Sequence, residues 1–105
     1  MRGDIYRIPA LKDTRGHEQR GRRYAIMVQS DALTLSTALV VPTTTGSFPA
    51  WFHPEIEING QRCYALIEQM RGVDVERLGA FAGRLDTEEL ARLSLGIRDA
   101  LDLLG

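Results

Sequence analysis

The sequence predicts a β-rich α+β domain in which short strands form a small, strongly bent sheet or partial barrel, followed by one long C-terminal helix. Three observations support this prediction. Segments in which polar and apolar residues alternate recur through residues 3–85. Asn59-Gly60, between two such segments, is a strong β-hairpin signal. From Asp86 onward the apolar residues take the spacing of a helix.

The first half of the chain has three segments with the length and composition of strands: residues 3–8, 23–29 and 37–41. Residues 9–21 between the first two are polar and contain two glycines, so we expect a long basic loop. Residues 30–33 favour a turn or a short helix. The third segment is apolar and should end at Pro42, because proline lacks the N–H that a sheet requires. Residues 43–47 would then form a hydroxyl-rich loop.

The second half has three further candidate strands: residues 52–58, 62–67 and 79–85. Residues 69–73 could extend the second of these or start a new strand, and residues 74–77 favour a single helical turn. Asp86 and Glu89 have the spacing of a capping box and should begin the helix. Its apolar stripe comprises Leu90, Leu93, Ile97, Ala100, Leu101 and Leu104.

Composition is that of an ordinary globular protein, and a length of 105 residues predicts a single domain over 1–105. The net charge is −1, but residues 1–23 contain seven basic and three acidic side chains. A basic edge suits a polyanion, although charge alone favours a solvated charged loop. We expect no membrane span and no signal peptide, and therefore a cytoplasmic protein.

Metal and disulfide chemistry are not expected. Cys63 is the single cysteine and lies in an apolar run, which favours a buried thiol. His17 and His53 are isolated in sequence from further metal-ligating residues. We therefore expect no metal and no cofactor, so that any catalysis depends on side chains alone.

Polar residues cluster where predicted strands meet loops, in segments 16–23, 42–44 and 68–69. His17, Glu18, Arg23 and Thr44 supply the groups that RNA cleavage requires, because RNA carries its own nucleophile, the 2′-hydroxyl. Each residue also has a structural explanation, such as ordering a loop, forming an ion pair or satisfying a turn. Composition and spacing alone leave the nuclease hypothesis open.

The combination of motifs resembles the MazF/PemK (Kid) family of toxin endoribonucleases. The matching segments are Arg2-Gly3-Asp4-Ile5-Tyr6, Gly16-His17-Glu18-Gln19, Pro42-Thr43-Thr44 and Leu66-Ile67-Glu68-Gln69-Met70-Arg71. The resemblance implies an SH3-like small barrel of the CcdB/MazF/Kid type with a long C-terminal helix. It also implies a homodimer that cleaves single-stranded RNA without a metal and leaves 2′,3′-cyclic phosphate and 5′-hydroxyl ends. The implied partner is a MazE-like antitoxin whose acidic C-terminal segment occupies the RNA groove.

Carried over by position, the resemblance makes Arg23 and Thr44 the catalytic pair, with Glu18 or His17 assisting. The substrate-binding candidates are Gln19, Arg20, Arg22, Thr43, Thr45, Ser47, Glu68 and Gln69. Two positions depart from the family pattern. Tyr24 replaces the proline that usually follows the catalytic arginine. Leu66 stands where one branch has an arginine that accompanies an aspartate at the position of Glu68.

Two other functions stay open at this point. A protein of this fold could be a non-enzymatic gyrase poison, as in the CcdB group. It could also be a catalytically degenerate member that only binds an antitoxin, which the departure at Tyr24 would explain.

Overall fold

A computed structural model describes residues 1–8, 23–46 and 49–102 of the chain. Within these ranges there are seven strands: β1 Asp4–Ile8, β2 Arg23–Met27, β3 Thr37–Thr44, β4 Glu55–Ile58, β5 Gln61–Ala65, β6 Arg71–Asp74 and β7 Phe81–Arg84. Two 3₁₀ turns cover Ile67–Gln69 and Val75–Arg77, and one helix, α1, covers Thr87–Ala100. The predicted loop at residues 9–21 and the helical position Leu104 lie outside the described residues.

The strands form one antiparallel sheet in the order β4-β5-β3-β2-β1-β7, and β6 also pairs with β3. Strand β3 is the centre of the sheet because three strands pair with it. Strand β2 pairs with one edge of β3. On the other edge of β3, β6 pairs with residues 37–40 and β5 with residues 43–44. The result is a nearly closed barrel with one C-terminal helix, which confirms the predicted fold class.

The prediction that the third strand ends at Pro42 is wrong, because β3 continues to Thr44. Pro42 lies opposite Ala25 of β2. Its carbonyl accepts a hydrogen bond from the backbone N–H of Leu66 at 2.9 Å. A proline removes one donor from a sheet but leaves its acceptor, so a strand can continue where the following residues find partners. Thr43 and Thr44 do so, and the predicted loop therefore starts only after them.

The predicted hairpin at Asn59-Gly60 is confirmed. Both residues have positive φ angles, +52° and +80°, as a two-residue type I′ turn requires. The strand predicted for residues 52–58 begins only at Glu55, after Pro54. The strand predicted for residues 62–67 ends at Ala65, and β6 is a new strand rather than a continuation.

The sheet has apolar residues on both faces. The first face, which we call the helix face, packs under α1, so that Ile26 and Val41 of the sheet share one buried cluster with Leu93 of the helix. The opposite face, which we call the open face, carries a smaller cluster. Its members are Ala25, Ala38 and Val40, with Ile8, Met27, Val73 and Leu78 packed against them. Neighbouring residues of a strand point to opposite faces. Ile26 therefore belongs to the cluster on the helix face, and its neighbour Ala25 to the cluster on the open face.

Helix α1 begins with the predicted capping box. The Asp86 side chain accepts from the backbone N–H of Glu89 at 2.7 Å, and the Glu89 side chain accepts from that of Asp86 at 3.0 Å. Leu93 and Gly96 lie on the buried side of the helix, whereas Ala100 and Leu101 at its end are exposed. In the described part of the chain, no helix is long and apolar enough to cross a membrane.

Candidate functional site

Arg23 and Thr44 lie beside each other on the open face. Ala25 of β2 is paired with Pro42 of β3. Continuing this antiparallel register by two residues brings Arg23 opposite Thr44, and residues opposite each other share a face. The hydroxyl of Thr43 donates to the carbonyl of Tyr24 at 3.1 Å, which holds the two strands together at this point. The strand register therefore brings together the guanidinium and hydroxyl groups predicted as the catalytic pair.

The two neighbouring threonines have different environments. Thr43 is 6% exposed and belongs to the helix face, where its hydroxyl is used by the hydrogen bond to β2. Thr44 is half-buried, and its Oγ1 accepts from the backbone N–H of Gly46 at 3.1 Å. A hydroxyl that accepts this bond still has its own proton to donate. Of the two, Thr44 is the one that can donate a hydrogen bond to a molecule on the open face, and the exposed Thr45 follows it.

Two residues that the sequence analysis missed lie next to Arg23 and Thr44 on the same sheet face, in the neighbouring strands. Tyr64 of β5 is paired with Thr44, and Glu55 of β4 is paired with Tyr64. Glu55 also forms an ion pair with Arg62 at 2.8 Å. The alternation of the hairpin could have identified Tyr64, because Cys63 and Ala65 point into the core and the residue between them must point outward.

Glu68 and Gln69 lie where the sheet is interrupted. Strands β5 and β6 share one edge of β3, and the 3₁₀ turn at residues 67–69 joins them. Ile67 anchors this turn in the core at 2% exposure, while Glu68 and Gln69 are exposed. The backbone bond from Leu66 to Pro42 places the turn next to the end of β3 that carries Thr44.

Glu68 is bound by His53, which the sequence analysis treated as isolated. Nε2 of His53 lies 2.9 Å from both carboxylate oxygens of Glu68. Because a carboxylate only accepts hydrogen bonds, Nε2 carries a proton in this pair. The His53 side chain is 8% exposed and that of Glu68 is 45% exposed. The two residues are 15 positions apart, so no local sequence pattern indicates that they meet.

Arg71 is a further cation on the open face, and the sequence analysis did not identify it. It pairs with Val40 of the open-face cluster, and its buried Nε atom has no hydrogen-bond partner among the described residues. The side chain lines a surface pocket of about 290 Å³ together with Ile8 and Arg77. This pocket adds positive charge to the sheet face that carries Arg23.

Cys63 contributes no reactive group to the site. Burial raises the pKa of its thiol above the usual range, so it stays protonated near neutral pH. Leu66, at the position where one family branch has arginine, is a buried core residue. Within the described ranges, no three or more His, Cys, Asp or Glu side chains are grouped so that they could hold a metal ion.

The remaining predicted site residues lie outside the described residues. These are His17, Glu18, Gln19, Arg20, Arg22 and Ser47. The structure therefore brings together Arg23 and Thr44, and places Glu68 beside the same end of β3. The chemical role of all these residues stays a prediction.

Comparisons with known proteins agree with this architecture. The sequence profile described as PemK-like, MazF-like toxin of type II toxin–antitoxin system matches residues 1–101. A candidate toxin of Mycobacterium tuberculosis is 36% identical over 104 residues, which cover 98% of each chain.

Solved structures of similar fold have lower identity. An endoribonuclease from a mycobacterial species, solved with its cognate antitoxin, has a TM-score of 0.80 at 17% identity, covering 98% of this chain and 95% of that one. MazF from Deinococcus radiodurans has a TM-score of 0.76 at 20% identity, covering 96% and 94%. The Mycobacterium tuberculosis toxin MazF-mt6 has a TM-score of 0.75 at 18% identity, covering 94% and 96%.

Proposed function

Because this chain belongs to the PemK-like, MazF-like toxins of type II toxin–antitoxin systems, we propose that it is a sequence-specific endoribonuclease that inhibits translation and growth. Its substrate is single-stranded RNA, with messenger, ribosomal and transfer RNA all open as cellular targets. The observation that carries this proposal is the register of β2 and β3, which, continued from the Ala25–Pro42 pair, brings Arg23 opposite Thr44 on the open face. Two structural neighbours named as endoribonucleases support the reaction class.

The reaction uses no metal. A base removes the proton of the RNA 2′-hydroxyl, and its oxygen attacks the adjacent phosphorus while the bond to the 5′-oxygen breaks. The products are a 2′,3′-cyclic phosphate and a 5′-hydroxyl, which takes up a proton as it leaves. The protein must therefore stabilise negative charge on the phosphoryl oxygens and move one proton.

Arg23 and Thr44 stabilise that charge. A guanidinium remains protonated at neutral pH and matches the geometry of phosphate oxygens, so Arg23 acts as a clamp rather than a base. The Thr44 hydroxyl donates to a phosphoryl oxygen, because that oxygen can only accept and the bond from Gly46 leaves the hydroxyl proton available. Glu18 or His17 moves the proton. Glu68 supports the site through His53 rather than binding phosphate, since a second anion would repel the RNA backbone.

The proposal extends to the partners. A homodimer forms the RNA-binding groove, and an antitoxin with an acidic C-terminal segment blocks it. Two structural neighbours from Deinococcus radiodurans, solved as MazE–MazF, support such a partner. The basic side chains of residues 1–23 favour both RNA and an acidic peptide. We place the protein in the cytoplasm, where its substrate is.

The test is cleavage of RNA by the purified protein in the presence of EDTA. We expect fragments with cyclic-phosphate and 5′-hydroxyl ends. Arg23→Ala and Thr44→Ala should each lower the rate roughly 100- to 1000-fold, the usual loss when one donor to a developing charge is removed. Arg98→Ala and Thr87→Ala, exposed on α1, are matched controls and should cleave as the wild type does.

Three results would contradict the proposal. Activity that survives both site substitutions would reject Arg23 and Thr44. Gyrase-dependent DNA breaks with intact RNA would identify a gyrase poison instead. Antitoxin binding without cleavage of any RNA would identify a degenerate binding module.

A further inference from the structure

Trp51 is the largest exposed aromatic side chain near the proposed site. It is 66% exposed, the highest value among the large hydrophobic residues that the structure describes. Its ring contacts Phe52 edge to face, with centroids 5.3 Å apart and planes at 76°. A contact of this kind covers at most one broad face of the indole, so the other face is open to solvent.

The exposed ring is connected to the core through a chain of contacts. The ring of Phe52 meets that of His53 at 4.4 Å, and His53 is held by both carboxylate oxygens of Glu68. The backbone N–H of His53 also donates to the carbonyl of Ala50 at 3.0 Å, which closes a turn around Trp51. A ring restrained in this way loses less conformational entropy when a ligand binds to it.

The same contacts place this turn beside the proposed catalytic pair. The carbonyl of Pro54, next to His53, accepts from the backbone N–H of Ala65 at 2.9 Å. Ala65 is paired with Thr43, the neighbour of Thr44. Glu68 lies on the turn that is bonded to Pro42, as described above. These contacts hold Trp51 at the end of the sheet that carries Thr44.

We propose that Trp51 is a stacking platform for one unpaired base of the RNA, and that the His53–Glu68 pair positions it. This inference rests on the proposed function. Flat aromatic rings beside a phosphate-binding group are the usual means by which proteins bind single-stranded RNA. Protein partners usually require a continuous apolar patch. Among the described residues, the other large exposed apolar side chains belong to other segments of the chain, namely β3, β7, α1 with its C-terminal end, and the segments near Met1, Leu33 and Val75.

Trp51 is the only tryptophan of the chain, so its fluorescence reports on this position alone. The probe is an RNA oligonucleotide that spans an experimentally mapped cleavage site, with 2′-deoxyribose at the cut nucleotide so that it binds without reacting. Binding should quench the emission of Trp51. Trp51→Ala should weaken binding roughly tenfold, and Trp51→Phe should keep most of the affinity because a smaller ring can still stack.

A series of oligonucleotides that each lack one base identifies the stacked nucleotide. At one position, removal of the base should weaken binding to the wild type and abolish the difference between the wild type and Trp51→Ala. Leu95→Ala is the matched control. Leu95 is a large apolar side chain that is 53% exposed on α1, which packs on the helix face rather than the open face. The affinity of this variant for RNA should equal that of the wild type.

The positioning role of Glu68 is tested by coupling. Glu68→Gln should weaken binding of the same oligonucleotide severalfold in the wild-type background, and much less in the Trp51→Ala background. Equal losses in both backgrounds would mean that Glu68 acts independently of the tryptophan.

The outcomes separate this inference from the proposed function. If RNA is cleaved but Trp51→Ala binds every oligonucleotide as the wild type does, the platform is wrong and the nuclease stands. If Trp51 emission responds to protein dilution and not to RNA, a second copy of the chain covers it instead. If no RNA is bound or cleaved, both fail.

Discussion

Asp4 illustrates how a single ion pair can affect the stability of the whole fold. Its side chain is 7% exposed and lies 2.7 Å from Nε of Arg84 and 2.9 Å from the N-terminal amine. Burial by itself raises the pKa of this carboxyl, but hydrogen bonds from the amine and Arg84, together with their charges, outweigh it. The pKa is therefore lowered below its usual value of 3.8. Because β1 and β7 meet at these residues, the pair closes one side of the sheet.

This arrangement predicts a specific acid sensitivity. A carboxyl with a lowered pKa in the folded state contributes stability above its unfolded pKa, and this stability is lost as the pH falls through the folded value. Asp4→Asn should lower the free energy of unfolding by about 1–2 kcal/mol at pH 7. The difference from the wild type should shrink below about pH 4. Urea unfolding between pH 3 and pH 7 (roughly the range over which carboxyls titrate) measures both effects.

A matched control is Glu55→Gln, which removes the exposed ion pair with Arg62. Exposed pairs contribute little, so this change should have only a small effect at any pH. If Asp4→Asn gave a loss that does not vary with pH, packing rather than ionisation would explain the role of Asp4.

At the scale of elements, helix α1 connects the hairpin to the turn that carries Glu68. Glu89 is shared between two structures, since one carboxylate oxygen accepts from the backbone of Asp86 and the other from that of Glu57 in β4 at 2.8 Å. Further along the helix, Gly96 faces Ile67 so closely that an added Cβ would lie 2.7 Å from its Cδ1. The helix thus supports the strand hairpin at its start and the 3₁₀ turn at its middle.

We expect Glu89→Ala to destabilise the protein by about 1–2 kcal/mol, because it removes a cap interaction and a link to the sheet. Glu88→Ala is the control on the same helix. Glu88 is 83% exposed and pairs only with Arg92 at 3.3 Å in the described structure, so its loss should have little effect. Chemical denaturation of the two variants side by side decides the question, and equal losses would mean that Glu89 acts only through helix propensity.

At the scale of the whole molecule, α1 packs on one face of the barrel, and no described helix packs on the other. Among the described residues, the open face combines the buried cluster of Ala25, Ala38 and Val40 with half-buried apolar side chains around it. It also carries the cations Arg23 and Arg71. A face that is apolar at its centre and basic around it suits a second copy of the chain with RNA bound along the junction.

The proposed homodimer can be tested on this face. Val73→Lys places a charge beside the open-face cluster and should shift the protein from dimer to monomer at micromolar concentration, as measured by light scattering. Leu95→Lys is the control, since Leu95 is 53% exposed on α1 and should leave the dimer intact. Circular dichroism establishes that both variants are folded. A wild-type protein that is monomeric at this concentration would contradict the dimer.

The sequence by itself determined the features that depend on local rules. Alternation predicted the strands, Asn59-Gly60 predicted the hairpin, and Asp86 with Glu89 predicted the start of the helix. The order of motifs along the chain indicated the toxin family, which the match of the family profile to residues 1–101 confirmed.

Only the tertiary structure decided which distant residues meet. The continuation of β3 past Pro42 depends on β5, whose residues pair with Thr43 and Thr44. The contact of His53 with Glu68 and the placement of Arg23 opposite Thr44 depend on strand register, which is a property of the whole sheet. Local patterns specify which face of an element is buried, but they do not specify which neighbour it pairs with, and the proposed site is composed of such neighbours.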